Sequence, residues 1–161
     1  MEPEDYGESF AVTVTRTGGQ WQVREYDDEL ETISTAVAAV RALRSEGPAF
    51  ALLCVEDDYF VIVRPTPQRV QLLISDAVAA VDDDLAASVL DELDAEIPYD
   101  AAEDDAWADG DFDILADLGL SEQVMGVIAD DDEAWASEQL IRIAEELDFD
   151  SELLDATGLD D

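Results

Sequence analysis

The stretch that decides the fold is residues 49–75, AFALLCVEDDYFVIVRPTPQRVQLLIS, which contains three short apolar runs. The runs Ala49–Val55, Tyr59–Val63 and Val70–Ile74 are rich in β-branched and aromatic residues. Acidic and proline-containing turn segments bound them, and this pattern predicts three strands. The first two runs are apolar at consecutive positions. This predicts burial on both faces and a central place in a sheet.

The chain before this stretch predicts two more strands and a helix. Residues Phe10–Thr15 alternate between apolar and polar side chains, and a second strand is predicted from Trp21 to about Tyr26. The two glycines of Thr17–Gln20 predict a tight hairpin turn between them. A helix is predicted to begin after an N-cap at Asp28 and to end at Gly47-Pro48.

The chain after this stretch has helical patterns without a strand pattern. We therefore predict an α+β fold: a mostly antiparallel five-stranded sheet with helices on one face, followed by a small all-helical C-terminal subdomain. The predicted boundaries are an α+β sheet domain at 8–98, an acidic linker at 99–111 and a helical subdomain at 112–156. The helical subdomain has few large apolar residues, so we expect it to pack on the sheet domain or on a partner. The order of the strands is not predicted.

The charge of the chain bears most strongly on its partners. Its 161 residues include 43 acidic and seven basic residues, for a net charge of −36. Such a chain repels phosphate backbones and anionic membranes, which argues against direct nucleic-acid binding and favours a basic protein partner. The same charge is also compatible with solubility or with adaptation to a salty cytoplasm. No signal-peptide pattern and no apolar run of spanning length occur, so we expect a cytoplasmic protein without a membrane anchor.

The residue inventory argues against familiar catalysis. The chain contains no His and no Lys, which removes imidazole-based triads, zinc sites that need imidazole, P-loops and Schiff-base lysines. The single cysteine, Cys54, lies in an apolar run and is predicted to be a buried, slowly reacting thiol. We therefore expect no enzyme activity and no cofactor.

Metal binding is the remaining chemical possibility. The triplets Asp82–Asp84 and Asp130–Asp132 contain oxygen ligands that suit Ca²⁺ or Mg²⁺. An EF-hand alignment around Gly110 fails, because Trp107 and Ala116 occupy positions that require carboxylates. Helix N-caps are the alternative interpretation of both triplets, and we expect no tight Ca²⁺ or Mg²⁺ site.

Trp107 lies in the acidic segment 100–111, DAAEDDAWADGD, which has no apolar pattern of its own. A tryptophan in such a segment has two interpretations. It can pin the linker to the sheet domain, or it can act as an anchor for a partner.

The chain resembles the tRNA adenosine deaminase-associated proteins of actinobacteria. The resemblance covers roughly Phe10 to Leu154. Its most specific parts are Ser75-Asp76-Ala77, and Trp107 with Gly110-Asp111 and Asp117-Leu118-Gly119. Ala108 departs from a proline that members often carry.

The resemblance implies an accessory protein encoded beside the tRNA-specific adenosine deaminase. It supplies no catalytic residues, and the chain lacks the His and Cys ligands that the deaminase needs for zinc. We predict a non-catalytic acidic protein that binds a basic partner, with the deaminase as the implied candidate. The predicted partner-binding residues are Trp107, Gly110, Asp111 and Asp117. A carboxylate-based metal-binding protein or enzyme, and an acidic solubility or stability protein without a fixed partner, stay open as alternatives.

Overall fold

The computed structural model describes residues 9–26, 30–101, 107–131 and 134–157. These residues form one antiparallel sheet and five α-helices. The strands are β1 (Phe10–Thr17), β2 (Gln20–Glu25), β3 (Ala49–Val55), β4 (Tyr59–Pro65), β5 (Val70–Ile74) and β6 (Asp109–Gly110). The helices are α1 (Ser34–Ala42), α2 (Asp84–Glu92), α3 (Glu122–Ala129), α4 (Ala136–Leu147) and α5 (Asp150–Thr157). Two 3₁₀ turns cover Ala77–Val81 and Ala116–Leu118.

The order of the strands in the sheet is β2-β1-β3-β4-β5-β6. Strands β3 and β4 occupy its centre, as their continuous apolar sequences predict, and they pair in register with Leu52 opposite Ile62. The predicted β1–β2 hairpin is confirmed. Its turn places Gly18 and Gly19 at φ of 60° and 81°, a conformation that glycine adopts without steric cost.

The sheet has six strands, so the prediction of five is wrong. The sixth strand, β6, lies in the segment predicted to be an acidic linker and pairs Gly110 with Leu73 and Asp109 with Ile74. Two residues are too few to show a strand periodicity. The pairing depends on main-chain hydrogen bonds and not on a side-chain pattern, so the sequence does not reveal it.

The helices from the first 98 residues cover one face of the sheet. Helices α1 and α2 and the first 3₁₀ turn pack on alternate side chains of β3, β4 and β5, among them Leu53, Val61 and Ile74. The amide N–H of Ile33, at the start of α1, donates a hydrogen bond of 3.1 Å to the Ser88 hydroxyl of α2. Helix α1 begins at Ser34. The prediction had it begin after an N-cap at Asp28, which lies outside the described residues.

The C-terminal helices cover the opposite face. Side chains from α3, α4 and α5 share one buried cluster with Phe50, Leu52 and Ile62 of the sheet. Phe149, between α4 and α5, is fully buried, and its ring centroid lies 4.8 Å from that of Trp21 and 6.2 Å from that of Phe50. Burial of a side chain of this kind contributes roughly 2–3 kcal/mol. The helical segment thus packs on the sheet, whereas the division into domains stays a prediction.

Two further expectations can be compared with the structure. Cys54 is fully buried, as predicted, while its slow reaction with thiol reagents stays a prediction. Helices long and apolar enough to cross a bilayer are absent from the described part of the chain.

Gly110 gives a direct test of β6. A Cβ at this position would overlap the carbonyl oxygen of Leu72 and lie 3.0 Å from Leu73 Cα, and its φ of +123° is strained for any other residue. We expect Gly110→Ala to destabilise the protein by roughly 3 kcal/mol in denaturant unfolding. The control is Gly126→Ala in α3, where nothing lies within 4 Å of the new Cβ. It should be neutral or stabilising, because alanine favours a helix. Equal unfolding midpoints for the two variants would contradict the pairing of β6.

Candidate partner-binding site

The main chain of Trp107 is attached to the end of the sheet. Its carbonyl oxygen accepts a hydrogen bond of 2.7 Å from the amide N–H of Ala77, at the start of the first 3₁₀ turn. The residue is nevertheless 42% exposed. Trp107 therefore has a fixed backbone position and a side chain that is partly accessible to a partner.

Gly110 and Asp111 both contact β5 within the molecule. Gly110 lies against the main chain of β5, and the amide N–H of Asp111 donates a hydrogen bond of 2.7 Å to Leu72 O. In return, Oδ2 of Asp111 accepts one of 3.0 Å from the Leu72 amide. The Arg69 guanidinium contacts the same carboxylate, with Nη2 3.1 Å from Oδ1. These contacts hold the segment after Trp107 on the edge of the sheet.

Asp117 is also engaged within the molecule. Its two carboxylate oxygens accept hydrogen bonds of 2.7 and 2.9 Å from Arg64 of β4. Nη1 of Arg64 also donates to the carbonyl oxygen of Ile114 at 2.7 Å. The hydrogen bonds from Arg64 hold the pKa of Asp117 below its ordinary value, although burial of the carboxylate acts in the opposite direction. The pair ties the segment before α3 to the sheet.

Three of the four predicted residues therefore have intramolecular roles. Gly110, Asp111 and Asp117 attach the segment to β4 and β5, whereas Trp107 presents a partly exposed ring. Participation of all four in partner binding stays a prediction.

Trp107 lines a cleft of about 220 Å³ at the end of the sheet, which we call the Trp107 cleft. It lies between the β3–β4 turn, the end of β5, the end of α3 and the beginning of α4. Its lining residues are Asp58, Ser75, Asp76, Trp107, Ala129, Asp130, Asp131, Ala134 and Gln139. Two of these lining residues, Ser75 and Asp76, belong to a segment that carries the family resemblance in the sequence. Sequence reasoning missed Asp58 and Gln139, and it considered Asp130 only within an aspartate triplet; the three residues come from distant parts of the chain.

Asp76 is the half-buried carboxylate of the cleft. It caps the first 3₁₀ turn, and its Oδ1 accepts a hydrogen bond of 3.0 Å from the amide of Val78. Burial raises the pKa of Asp76, the Val78 amide lowers it, and the charge of Asp58 raises it further. Because the net shift is upward, the ionised carboxylate costs folding free energy at neutral pH. A cation in the cleft would reduce that cost.

Ser75 and Gln139 build the polar floor of the cleft. The Ser75 hydroxyl accepts a hydrogen bond of 2.9 Å from the Phe60 amide. The Gln139 side-chain amide nitrogen donates to the carbonyl oxygens of Ile128, Ala129 and Asp131 at 2.8, 3.3 and 3.3 Å. Helix α4 is thus joined to the end of α3 at the cleft.

The two aspartate triplets considered as metal ligands, Asp82–Asp84 and Asp130–Asp132, have different positions in the structure. Asp83 caps α2, since its Oδ1 accepts a hydrogen bond of 2.9 Å from the Leu85 amide, as the N-cap interpretation predicts. Asp130 lines the cleft, and Asp132 lies outside the described residues. Within the described ranges, no three carboxylate or thiol side chains come together as a metal site requires. The expectation of no tight Ca²⁺ or Mg²⁺ site stays a prediction.

Comparisons with known proteins agree on one family. The profile of a family described as "Rv3753c-like tRNA adenosine deaminase-associated protein" matches residues 9–150. Protein Rv3753c of Mycobacterium tuberculosis (strain ATCC 25618 / H37Rv) is 46% identical over 151 residues, which cover 92% of this chain and 87% of that protein. No solved structure matches the chain.

The Arg64–Asp117 pair predicts a pH-dependent effect. We expect Asp117→Asn to lower the free energy of unfolding at pH 7 by about 1 kcal/mol, a modest value because Asp117 is largely exposed. The pKa of Asp117 is lowered in the folded state, so this stabilisation is complete above the ordinary aspartate pKa. It is lost as the pH falls through the lowered value. Urea unfolding of both proteins at several pH values from 7 down to 3 should show the difference shrinking in acid. A difference independent of pH would contradict a role for the carboxylate charge.

Proposed function

The chain belongs to the tRNA adenosine deaminase-associated protein family, and from this membership we propose that it is a non-catalytic, cytoplasmic accessory protein that binds a basic protein partner. The partner that the family name indicates is the tRNA-specific adenosine deaminase. In this proposal the chain binds the enzyme and makes no direct contact with nucleic acid, because its charge opposes a phosphate backbone. In this proposal the chain binds its partner without taking part in catalysis, and the deaminase supplies the catalytic groups.

The charge distribution supports a basic partner. Three arginine–carboxylate pairs form within the described residues, and Arg16 stacks over the Trp21 ring at 5.3 Å. Such pairs neutralise few of the 43 acidic residues, so a strong negative field extends into solvent. A field of this kind accelerates association with a basic protein and makes the rate depend on salt.

The segment around Trp107 is the proposed docking element, and the partly exposed Trp107 ring is the observation that supports it. A tryptophan with a fixed main chain and a partly exposed ring, beside acidic side chains, has the properties of an interface hot spot. Gly110, Asp111 and Asp117 contribute to docking in this proposal by holding the segment in place. The field brings the partner to the surface, and the ring lengthens the residence time of the complex.

The two alternatives predict different results. A carboxylate-based metal-binding protein or enzyme would bind a divalent cation with fixed stoichiometry in moderate salt. A solubility or stability protein without a fixed partner would bind neither metal nor deaminase. Neither alternative gives a role to the exposed ring of Trp107, and we therefore favour the accessory protein.

Replacement of Trp107 tests the proposal. We expect Trp107→Ala to weaken binding to the purified deaminase by about 2 kcal/mol, mainly through faster dissociation in surface plasmon resonance. Tyr99→Ala is the matched control, because Tyr99 is a more exposed aromatic that lies outside the cleft. It should leave the affinity unchanged.

Thermal unfolding separates docking from an internal role of the ring. If Trp107→Ala lowers the melting temperature while the affinity is unchanged, Trp107 is a structural pin and the docking element is wrong. If the deaminase fails to bind the wild-type protein even in low salt, the proposed partnership is wrong.

A further inference from the structure

We propose that a groove at the arginine-rich end of the sheet binds a short acidic segment of the protein partner. This arginine groove lies between the end of α1, the beginning of β3 and the β4–β5 turn. The inference deepens the proposed function and rests on it for the identity of the partner. The residues of the groove that the argument uses are three arginines and three prolines: Arg41, Arg44, Arg64, Pro48, Pro65 and Pro67.

The fold collects arginines at this end of the sheet. Residues 33–45 and 59–75 contain no acidic residue, although the chain has 43 of them. The β1–β2 hairpin reaches the same end, since the amide N–H of Arg16 donates a hydrogen bond of 3.1 Å to Pro48 O. Five of the seven arginines therefore lie there, namely Arg16, Arg41, Arg44, Arg64 and Arg69.

Two of the groove arginines carry a charge that is not balanced. Arg64 is held by Asp117 and by the carbonyl oxygen of Ile114. Arg41 and Arg44 are exposed, and neither guanidinium pairs with a carboxylate of the described residues. The described part of the chain also contributes no carboxylate to the lining of the groove. Two unbalanced guanidinium groups in one groove favour an anionic ligand.

The main chain of Arg44 supplies an independent observation. Its φ of 49° lies in the left-handed region, where glycine commonly ends a helix and a side chain is costly. Its amide donates a hydrogen bond of 3.2 Å to Arg41 O, so an arginine ends α1 in the place of a glycine. Offsetting the helix dipole does not require a side chain at such a position. Strained residues cluster at binding sites, and the strain therefore points to a function for this side chain.

The walls of the groove favour a peptide over a nucleic acid. The volume is about 380 Å³, and the three prolines add apolar surface beside the guanidinium groups. An acidic residue next to an apolar one matches both features, because a guanidinium binds a carboxylate through two parallel hydrogen bonds. A nucleic acid carries a phosphate at every nucleotide, so the phosphates beside the bound one would meet the field of a chain with a net charge of −36.

A peptide titration of the whole protein tests the groove. N-acetyl-Leu-Glu-Glu-amide is the probe, and N-acetyl-Leu-Gln-Gln-amide is its neutral control. At about 0.15 M salt, which screens distant carboxylates, we expect NMR shifts of the Arg41 and Arg44 guanidinium N–H groups that saturate with the acidic peptide alone. Absent shifts with the acidic peptide, or equal shifts with the neutral one, would overturn the inference. Tighter binding of a single-stranded RNA oligomer in the groove would also overturn it, in favour of a phosphate surface.

Removal of an arginine separates the groove from the general field by the sign of the effect. Loss of any positive charge makes the chain more negative, so the field alone predicts tighter binding of a basic partner. The groove predicts the opposite for Arg41→Gln, which should bind the deaminase about fivefold more weakly. Arg24→Gln is the matched control, because Arg24 is exposed and does not line the groove. Its affinity should be unchanged or slightly higher, and equal effects of the two variants would contradict the groove.

Arg44→Gly separates binding from folding. Glycine adopts the left-handed conformation without steric cost, so this variant should melt at a higher temperature than the wild type. It should nevertheless bind the acidic peptide and the deaminase about fivefold more weakly. Weaker binding by a more stable protein is not a consequence of unfolding. Unchanged binding of the peptide would show that Arg44 only ends the helix, and the inference would be wrong.

The same measurements distinguish failure of this inference from failure of the proposed function. If the deaminase binds the wild type and every arginine variant equally well, while Trp107→Ala weakens binding, the groove is wrong and the accessory function stands. If the acidic peptide binds in the groove but the deaminase does not bind, the groove stands and the deaminase is excluded as its partner.

Discussion

Burial of β3 and β4 on both faces is the constraint on which the rest of the structure depends. Alternate residues of these strands belong to two separate buried clusters, one on each side of the sheet. A single layer of helices covers only one of these clusters. The C-terminal helices are therefore a structural requirement, because without them Phe50, Leu52 and Ile62 would face water. At about 25 cal/mol per Å² of apolar surface, such exposure is too costly for a domain of ordinary stability.

The acidic composition is accommodated at helix ends and on the surface. Asp76 caps the first 3₁₀ turn and Asp83 caps α2, and the side chain of each accepts a hydrogen bond from a main-chain amide. Two of the arginines, Arg64 and Arg69, connect the segment after Trp107 to the sheet. Among the described carboxylates, Asp58, Asp76 and Asp130 line the Trp107 cleft. With seven basic residues against 43 acidic ones, most of the negative charge is not neutralised within the chain.

The Trp107 cleft exists because β6 directs the chain back to the sheet. The pairing of Asp109 and Gly110 with β5 places Trp107 beside the residues that directly follow that strand. Helices α3 and α4 then close the other side with Asp130 and Gln139. The short strand, the glycine that permits its close approach and the exposed indole therefore form one unit. This arrangement explains why three of the four residues singled out in the sequence support the position of the fourth.

The sequence by itself determined the local elements and the class of the fold. Continuous apolar runs identified β3 and β4 as central strands, the paired glycines identified the first hairpin, and the residues around Trp107 identified the family. Tertiary structure alone decided which face each helix covers, because an amphipathic pattern shows that a face is buried and not what covers it. It also decided β6, which has no side-chain period, and the Trp107 cleft, whose Asp58, Asp76 and Gln139 are far apart in the chain. Contacts of that kind depend on how separate elements pack, and this information is not contained in any local stretch of residues.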